Sequence, residues 1–329
     1  MELKLPRNLS VERYAPLLAL AILVVLSELL YPRFLEPQNL LNILRQVSYT
    51  GIIALGMTLV IIAGGIDLSV GSMTALAGAC AVLTLNALTP ETPVEGVAVL
   101  VPLAGALLAA LAVGASAGLL NGFLITTGRI TPFIATLGTM AVFRSLTLYL
   151  GNASEFRSNN SLYGDMGMGS VFLVPLPVWV FLGAALILSV VLHRTRFGRY
   201  TRAVGSNARV SQYSAINVDG VKLSTYVIVG VLVALTAFLI SARLNSISST
   251  NAGKDYEMDA IAAVVIGGTA MTGGRGAVWG TVIGAVILGI INNMMNMLGV
   301  SPYLQGLVKG SVIIAAVFIQ RGDLFRKKN

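Results

Sequence analysis

The chain has 329 residues, 56% of them apolar and only 11% charged, whereas water-soluble domains carry about 25% charged residues. That inventory excludes a mainly water-solvated surface, and the long apolar runs recurring from Pro16 to Ile319 make lipid the natural solvent. The formal charge of +8 sits in short loops between apolar runs, which excludes a basic nucleic-acid-binding face, and Cys80, the single cysteine, excludes an internal disulfide or a cysteine-built metal site.

The first element, Leu3 to Tyr31, places Lys4, Arg7 and Arg13 ahead of an apolar run, as a secretory signal peptide would. No small-x-small cleavage site follows; Glu28, Tyr31, Pro32 and Arg33 come next, so an uncleaved span is predicted at 15–31. Further spans are predicted at 47–63, 68–86, 97–125, 133–150, 177–193, 223–240, 259–272, 277–298 and 302–320. Crossing the hydrocarbon takes about 17 to 25 residues. The stretch from Asp259 to Thr272 is too short and is expected to be a half-helix or re-entrant piece. The expected fold is all-α and integral to the membrane, about ten transmembrane helices in a single domain, 1–329.

Lys and Arg gather in the arm 1–14, in the segment 194–222 (Arg194, Arg196, Arg199, Arg202, Arg209, Lys222) and in the tail 321–329 (Arg321, Arg326, Lys327, Lys328). The positive-inside rule puts all three, and so both termini, in the cytoplasm, with six crossings and then four between them. The loops between agree: Thr89 to Gly96 carries Glu91 and Glu95 without a base, and Gly151 to Ser170 is polar with one Arg. Tyr31, Tyr149, Trp179, Trp279 and Tyr303 fall near span ends, where amphipathic rings favour the headgroup layer. Small residues fill Gly105 to Gly118 and Gly280 to Gly289, so a closely packed bundle is expected.

Two segments share a pattern, Gly64-Gly65 followed by Gly71-Ser72 and Gly273-Gly274 followed by Gly280-Thr281, which suggests two related halves. Each glycine costs a helix about 1 kcal/mol against alanine, so each pair is a helix break. Unwound backbone at membrane depth survives only against protein or a wet cavity, which points to a translocation path at Gly64 and Gly65; a tight turn outside the bilayer is the alternative. Asp67 stands in an apolar neighbourhood as an intramembrane carboxylate. With Ser69 it could cap the following helix or contact substrate or a gate. Asn121, Asn292, Asn293 and Asn296 lie in spans and should face other helices or the path. Met294, Met295 and Met297 are packing residues without His or Cys beside them, and His193 at a span edge is interfacial. Lys309, seven residues into the last span, is expected to snorkel to the interface, with a charge lining the path as the alternative.

The segment 194–222 is long for a simple connection, and Asn207 to Ile216 could form a short helix along the membrane. Ser206-Asn207 could cap it, Arg209 and Gln212 offer polar contacts, and Val210, Tyr213 and Ile216 fall at helical spacing to enter a groove. A basic loop bound to lipid headgroups is the competing reading.

Three motifs, in order over nearly the whole chain, resemble the permeases of ribose-type bacterial ABC importers: Gly64-Gly65-Ile66-Asp67-Leu68-Ser69-Val70-Gly71, Arg196-Phe197-Gly198-Arg199-Tyr200 leading to Ala215-Ile216-Asn217-Val218-Asp219, and Met258-Asp259-Ala260 through Gly267-Gly268-Thr269 to Gly273-Gly274-Arg275-Gly276. The resemblance implies a type II importer fold in the bacterial inner membrane, a dimer with a second permease copy or a related permease, and a path at the subunit interface. It also implies a cytoplasmic ATPase pair and an extracytoplasmic sugar-binding protein. Asn207, Arg209, Val210, Gln212, Tyr213, Ile216 and Asn217 would then form the coupling helix that docks on the ATPase. Relatives often carry a second Gly before Asn207 and acidic residues after it, where this chain has Ser206 and Ala208-Arg209, so pairing with the ATPase is expected to differ in detail. No phosphate-binding Gly-x-x-x-x-Gly-Lys-Ser/Thr loop occurs, so ATP and Mg are expected to be used by the partner chain, with no cofactor, metal or catalytic residue here. An ion-coupled secondary transporter would need several embedded carboxylates, and only Asp67, Glu28 and Asp259 are candidates. A branched-chain amino-acid permease of the same superfamily fits the motifs less well.

Overall fold

Proline at the first or second position opens the helices beginning at Pro37, Val101, Pro132 and Leu176, where its missing N–H leaves nothing unpaired. The structure is a computed structural model that describes residues 11–90 and 100–326. Glu91 and Glu95, most of the N-terminal arm and the tail residues Lys327 and Lys328 lie outside the described residues. In chain order the helices are α1 Val11–Leu30, α2 Pro37–Ile62, α3 Val70–Leu88, α4 Val101–Thr126, α5 Pro132–Leu150, α6 Ser161–Met168, α7 Leu176–Arg194, α8 Arg196–Ser206, α9 Ala208–Tyr213, α10 Val218–Leu244, α11 Tyr256–Ile266, α12 Val278–Met297 and α13 Pro302–Arg326.

Seven of them, α2, α3, α4, α5, α7, α10 and α12, are long and apolar enough to cross a membrane. The other three predicted spans fall on α1, whose apolar part is Pro16–Leu30, on α13, and on α11. Helix α11 ends at Ile266, short of the predicted Thr272, because Gly268 turns to φ +86 and its N–H folds back on the Val265 carbonyl.

Helix α2 runs through the centre, with nearly every side chain from Val47 to Ala63 buried. Around it pack α7, α10, α11 and α12, while α4 lies against α3 and α10. Lipid offers helices no hydrophobic drive to associate, so close contact depends on small residues. Gly114, Gly118 and Gly122 on α4 meet the α10 main chain at Gly230, Tyr226 and Leu223, and a methyl on Gly114 would overlap the Gly230 carbonyl. Gly114→Leu is therefore expected to cost about 1–3 kcal/mol or more through overpacking, read as a fall in the detergent-solubilised unfolding midpoint. An unchanged midpoint would mean that the α4–α10 crossing tolerates separation.

Two ends of the bundle can be told apart. At the basic end α2, α4 and α7 finish, α10 begins, and the segment 195–217 folds as α8 and α9. At the opposite end the strand β1 (Glu155–Arg157) pairs antiparallel with β4 (Ser246–Ser248), placing Phe156 opposite Ile247. Both side chains are buried with Tyr163 and Phe238, so this pair straps the α5–α6 connection to the end of α10. The Ser246 hydroxyl, and then Arg157, hold the exposed Glu155 carboxyl below the usual carboxylate range. A second short hairpin joins β2 (Ser170–Val171) to β3 (Val174–Pro175).

Candidate functional site

The Gly64-Gly65 break is a helix end followed by a return into the bundle. The N–H groups of Gly64 and Gly65 close onto the carbonyls of Ile61 and Val60, both at 2.9 Å, with Gly64 at φ +82. The chain then carries Asp67 inward to meet Asn121, five residues before the end of α4 and so about 7 Å below it at 1.5 Å per residue. Asp67 Oδ1 accepts from the Ser69 N–H (2.9 Å) and the Ser69 hydroxyl (2.7 Å). The Asn121 amide donates to Asp67 Oδ2 (3.2 Å) and to Ser69 Oγ (2.8 Å), and the Thr139 hydroxyl of α5 donates to Asn121 Oδ1 (2.7 Å). Asp67, Ser69 and Asn121 are 0% exposed. A carboxylate buried away from water without donors would be prohibitively costly; here Ser69 of the α2–α3 connection and Asn121 of α4 supply them, and Thr139 of α5 holds Asn121 in place. Ser69 occupies the N-cap position of α3, yet neither its side chain nor that of Asp67 caps the helix. The expected capping is replaced by this closed network.

Of the seven residues predicted for the path, Gly64, Gly65, Asp67, Ser69 and Asn121 come together here. Asn293 does not. It exchanges amide hydrogen bonds with Asn39 of α2 (2.8 and 3.3 Å), and Asn292 keeps a buried Oδ1 without a partner.

The second glycine pair meets the first. The Gly274 N–H donates to the Ile62 carbonyl at the end of α2 (2.9 Å), with Gly273 and Gly274 at φ +85 and +77. Between them lies the main chain of Gly205, so close that a methyl there would overlap the Ile62 oxygen and crowd the Gly274 nitrogen. Gly205 is the penultimate residue of α8, and Asn207 follows at once, its side chain capping α9 through the Val210 N–H (3.1 Å). Asn217 likewise caps α10 through the Gly220 N–H (2.9 Å), and Asp219 in its first turn pairs with Arg129 (3.1 Å). Helix α9 stops at Tyr213, short of the predicted Ile216, because Ala215 adopts φ +58. It presents Val210 and Tyr213 outward, 57% and 89% exposed, beside exposed Asn207, Arg209 and Gln212, while Ile216 is half-buried.

A third feature was not foreseen. Between β4 and α11 the chain dips into the bundle from the end opposite the basic one. Arg144, twelve residues along α5 and thus about 9 Å from its Leu150 end, donates to the carbonyls of Ser249 (3.1 Å) and Ala252 (2.8 Å). Gly253 packs directly on the main chain of Gly71 at the start of α3, with the Glu257 carboxylate alongside. Two broken segments, 63–69 with α3 and 249–255 with α11, therefore meet inside the bundle. Where they meet, a cleft of ≈ 230 Å³ is lined by Ser72, Met140, Ala141, Arg144, Gly253, Lys254, Asp255 and Glu257. A lone Arg within a predicted span was its available sequence signal.

Lys309 does not snorkel. Its Nζ lies 2.9 Å from Asp259 Oδ1, with the two side chains 18% and 11% exposed, so an ion pair joins α13 to the first turn of α11.

Residues 39–317 match the family described as branched-chain amino acid transport system / permease component. The chain is 45% identical to the ribose import permease protein of Bacillus subtilis over 94% of this chain and 93% of that protein. It is 37% identical to the D-allose transport system permease protein of Escherichia coli, over 94% and 92% respectively. The galactose/methyl galactoside import permease protein of Salmonella typhimurium is 36% identical over 96% and 95%. No solved structure matches.

Proposed function

The chain belongs to the branched-chain amino acid transport system / permease component family, and from that membership we propose that it is the membrane-spanning permease of an ABC importer whose cargo is a sugar. The 45% identity over 94% of the chain to a ribose import permease carries the choice of cargo; relatives named for D-allose and galactose point the same way, against the amino acid of the family's description. ATP and Mg are used by a separate ATPase, and the sugar arrives on an extracytoplasmic binding protein. The chain itself carries out no covalent change.

Ten crossings suit the helices. The sequence α1 to α5 and α7 supplies six, then α10, α11 with its inward-dipping lead, α12 and α13 supply four. The arm, the segment 194–222 and the tail then share the cytoplasmic face, as their Lys and Arg residues require. A second permease copy covers the exposed apolar faces of this single domain. The cleft lies on the route: Arg144 shares α5 with the exposed apolar Phe133, Leu137, Val142 and Leu146, and Lys254, Asp255 and Glu257 join it in the cleft. Such charges belong against a wet passage and not against lipid.

Helix α9 is the docking element for the ATPase. Its exposed Val210 and Tyr213 form the apolar anchor, with Arg209 and Gln212 at the rim. Breaking the helix with Gln212→Pro, or reversing charge with Arg209→Glu, is expected to lower ATPase co-purification and the binding-protein-stimulated hydrolysis rate. Wild-type assembly and stimulation in both variants would remove the docking role. Uptake of labelled ribose by cells expressing the permease with its ATPase and binding protein tests the cargo; uptake of leucine in place of any sugar would overturn it.

A further inference from the structure

The cleft between α5 and the lead of α11 has a chemistry that the transport role alone does not dictate. Its lining brings two cations, Arg144 and Lys254, against two carboxylates, Asp255 and Glu257, so its formal charge sums to zero. An anion would meet the carboxylates and a cation the bases, each at membrane depth where repulsion is screened least. Met140, Ala141 and Gly253 supply apolar surface between these charges, on which the C–H face of a sugar ring can rest. A neutral solute with hydroxyl groups that donate and accept, and with an apolar ring face, matches this mixed lining.

The inventory of free groups agrees. Arg144 uses Nη1 and Nη2 to hold the Ser249 and Ala252 carbonyls, and a guanidinium has five N–H donors, so donors remain for the cleft. Lys254 is exposed to it, and neither cation forms an ion pair with Glu257 among the described residues. The Ser72 hydroxyl donates to the Ser69 carbonyl (2.9 Å), which leaves its oxygen free to accept. At ~30 Å³ per water in the liquid, ≈ 230 Å³ holds about seven waters, or a pentose-sized molecule in their place.

We propose that this cleft is a binding station within the permease for adjacent hydroxyl groups of the sugar, with Glu257 accepting from the diol and Arg144 and Lys254 donating to it. The station rests on the reading of the chain as a sugar permease. It gives the permease a cargo preference of its own, separate from that of the delivery protein.

The test is initial-rate import of ribose and of a set of monodeoxyriboses by the complete transporter, with wild-type permease and with Glu257→Gln, under one saturated delivery protein. Because that protein is the same in both, its selectivity cancels in the variant-to-wild-type ratio for each sugar. Replacing the charged two-oxygen acceptor by a neutral amide with one acceptor oxygen is expected to slow ribose import about tenfold or more. For the monodeoxyribose lacking the bound hydroxyl the same substitution should slow import by less than about threefold. Lys254→Gln, at an exposed side chain with no packing role, should reproduce the sugar-dependent pattern more weakly. Equal slowing of every sugar, or none, in both variants would overturn the station while leaving the permease reading intact. A wild-type complex that imports no sugar would overturn the permease reading, and the station with it.

Discussion

Gly205→Ala is expected to reduce import by one to two orders of magnitude while the protein still reaches the membrane. The added methyl has no room: it would overlap the Ile62 carbonyl and press on the Gly274 nitrogen, and both are backbone atoms that cannot swing aside. Overpacking at such a site costs about 1–3 kcal/mol. The cost falls where three segments touch, the end of α2, the end of α8 and the α11–α12 turn, and not in the core of any helix. One side of the contact leads within two residues to the cap of α9, and the other two lead into the returns that carry Asp67 and α12. A local overlap there alters how α9 sits relative to both glycine breaks. Gly138→Ala serves as the control, since a methyl there meets nothing within 4 Å. Import by Gly205→Ala within twofold of wild type, with Gly138→Ala also silent, would mean that α8 is free of the two breaks.

This contact also shows what the sequence can and cannot say. The paired Gly-Gly patterns announce two breaks and hint at related halves, and both breaks exist. That Gly274 donates to Ile62 is invisible in the chain, because a hydrogen bond between residues some two hundred apart leaves no periodic trace. Asp67 stood out as a carboxylate in an apolar setting, and its neighbour Ser69 suggested capping. Its partner Asn121 on α4, and Thr139 on α5 that holds Asn121, look like ordinary small polar residues in a span. The long apolar helices were legible because length and hydropathy suffice to define them. Helix α11 was legible as too short, but the dip of 249–255 into the bundle was not: Asn251, Lys254 and Asp255 fall between the predicted spans 223–240 and 259–272. It takes Arg144, donating from within α5 to two main-chain carbonyls, to place that polar stretch at depth.

The eleven residues of α11 span only about 16 Å, and its first turn lies inside the bundle, where the Asp259 side chain, 11% exposed, has little water around it. Lys309 supplies the compensating charge from α13. Lys309→Met is accordingly expected to cost about 3–5 kcal/mol, because it leaves a buried carboxylate without its partner. The double substitution Lys309→Met with Asp259→Leu should recover most of that loss, since replacing both members of a buried pair by apolar side chains is often close to neutral. Unfolding midpoints of the two singles and the double close the cycle. Were the losses of the singles simply additive, the charges would be solvated separately and α11 would be held by packing alone. A coupling of several kcal/mol would instead mean that a short, charged half-helix persists inside the bundle because a second helix neutralises it, which lets this segment end in a polar cleft when a full apolar helix could not.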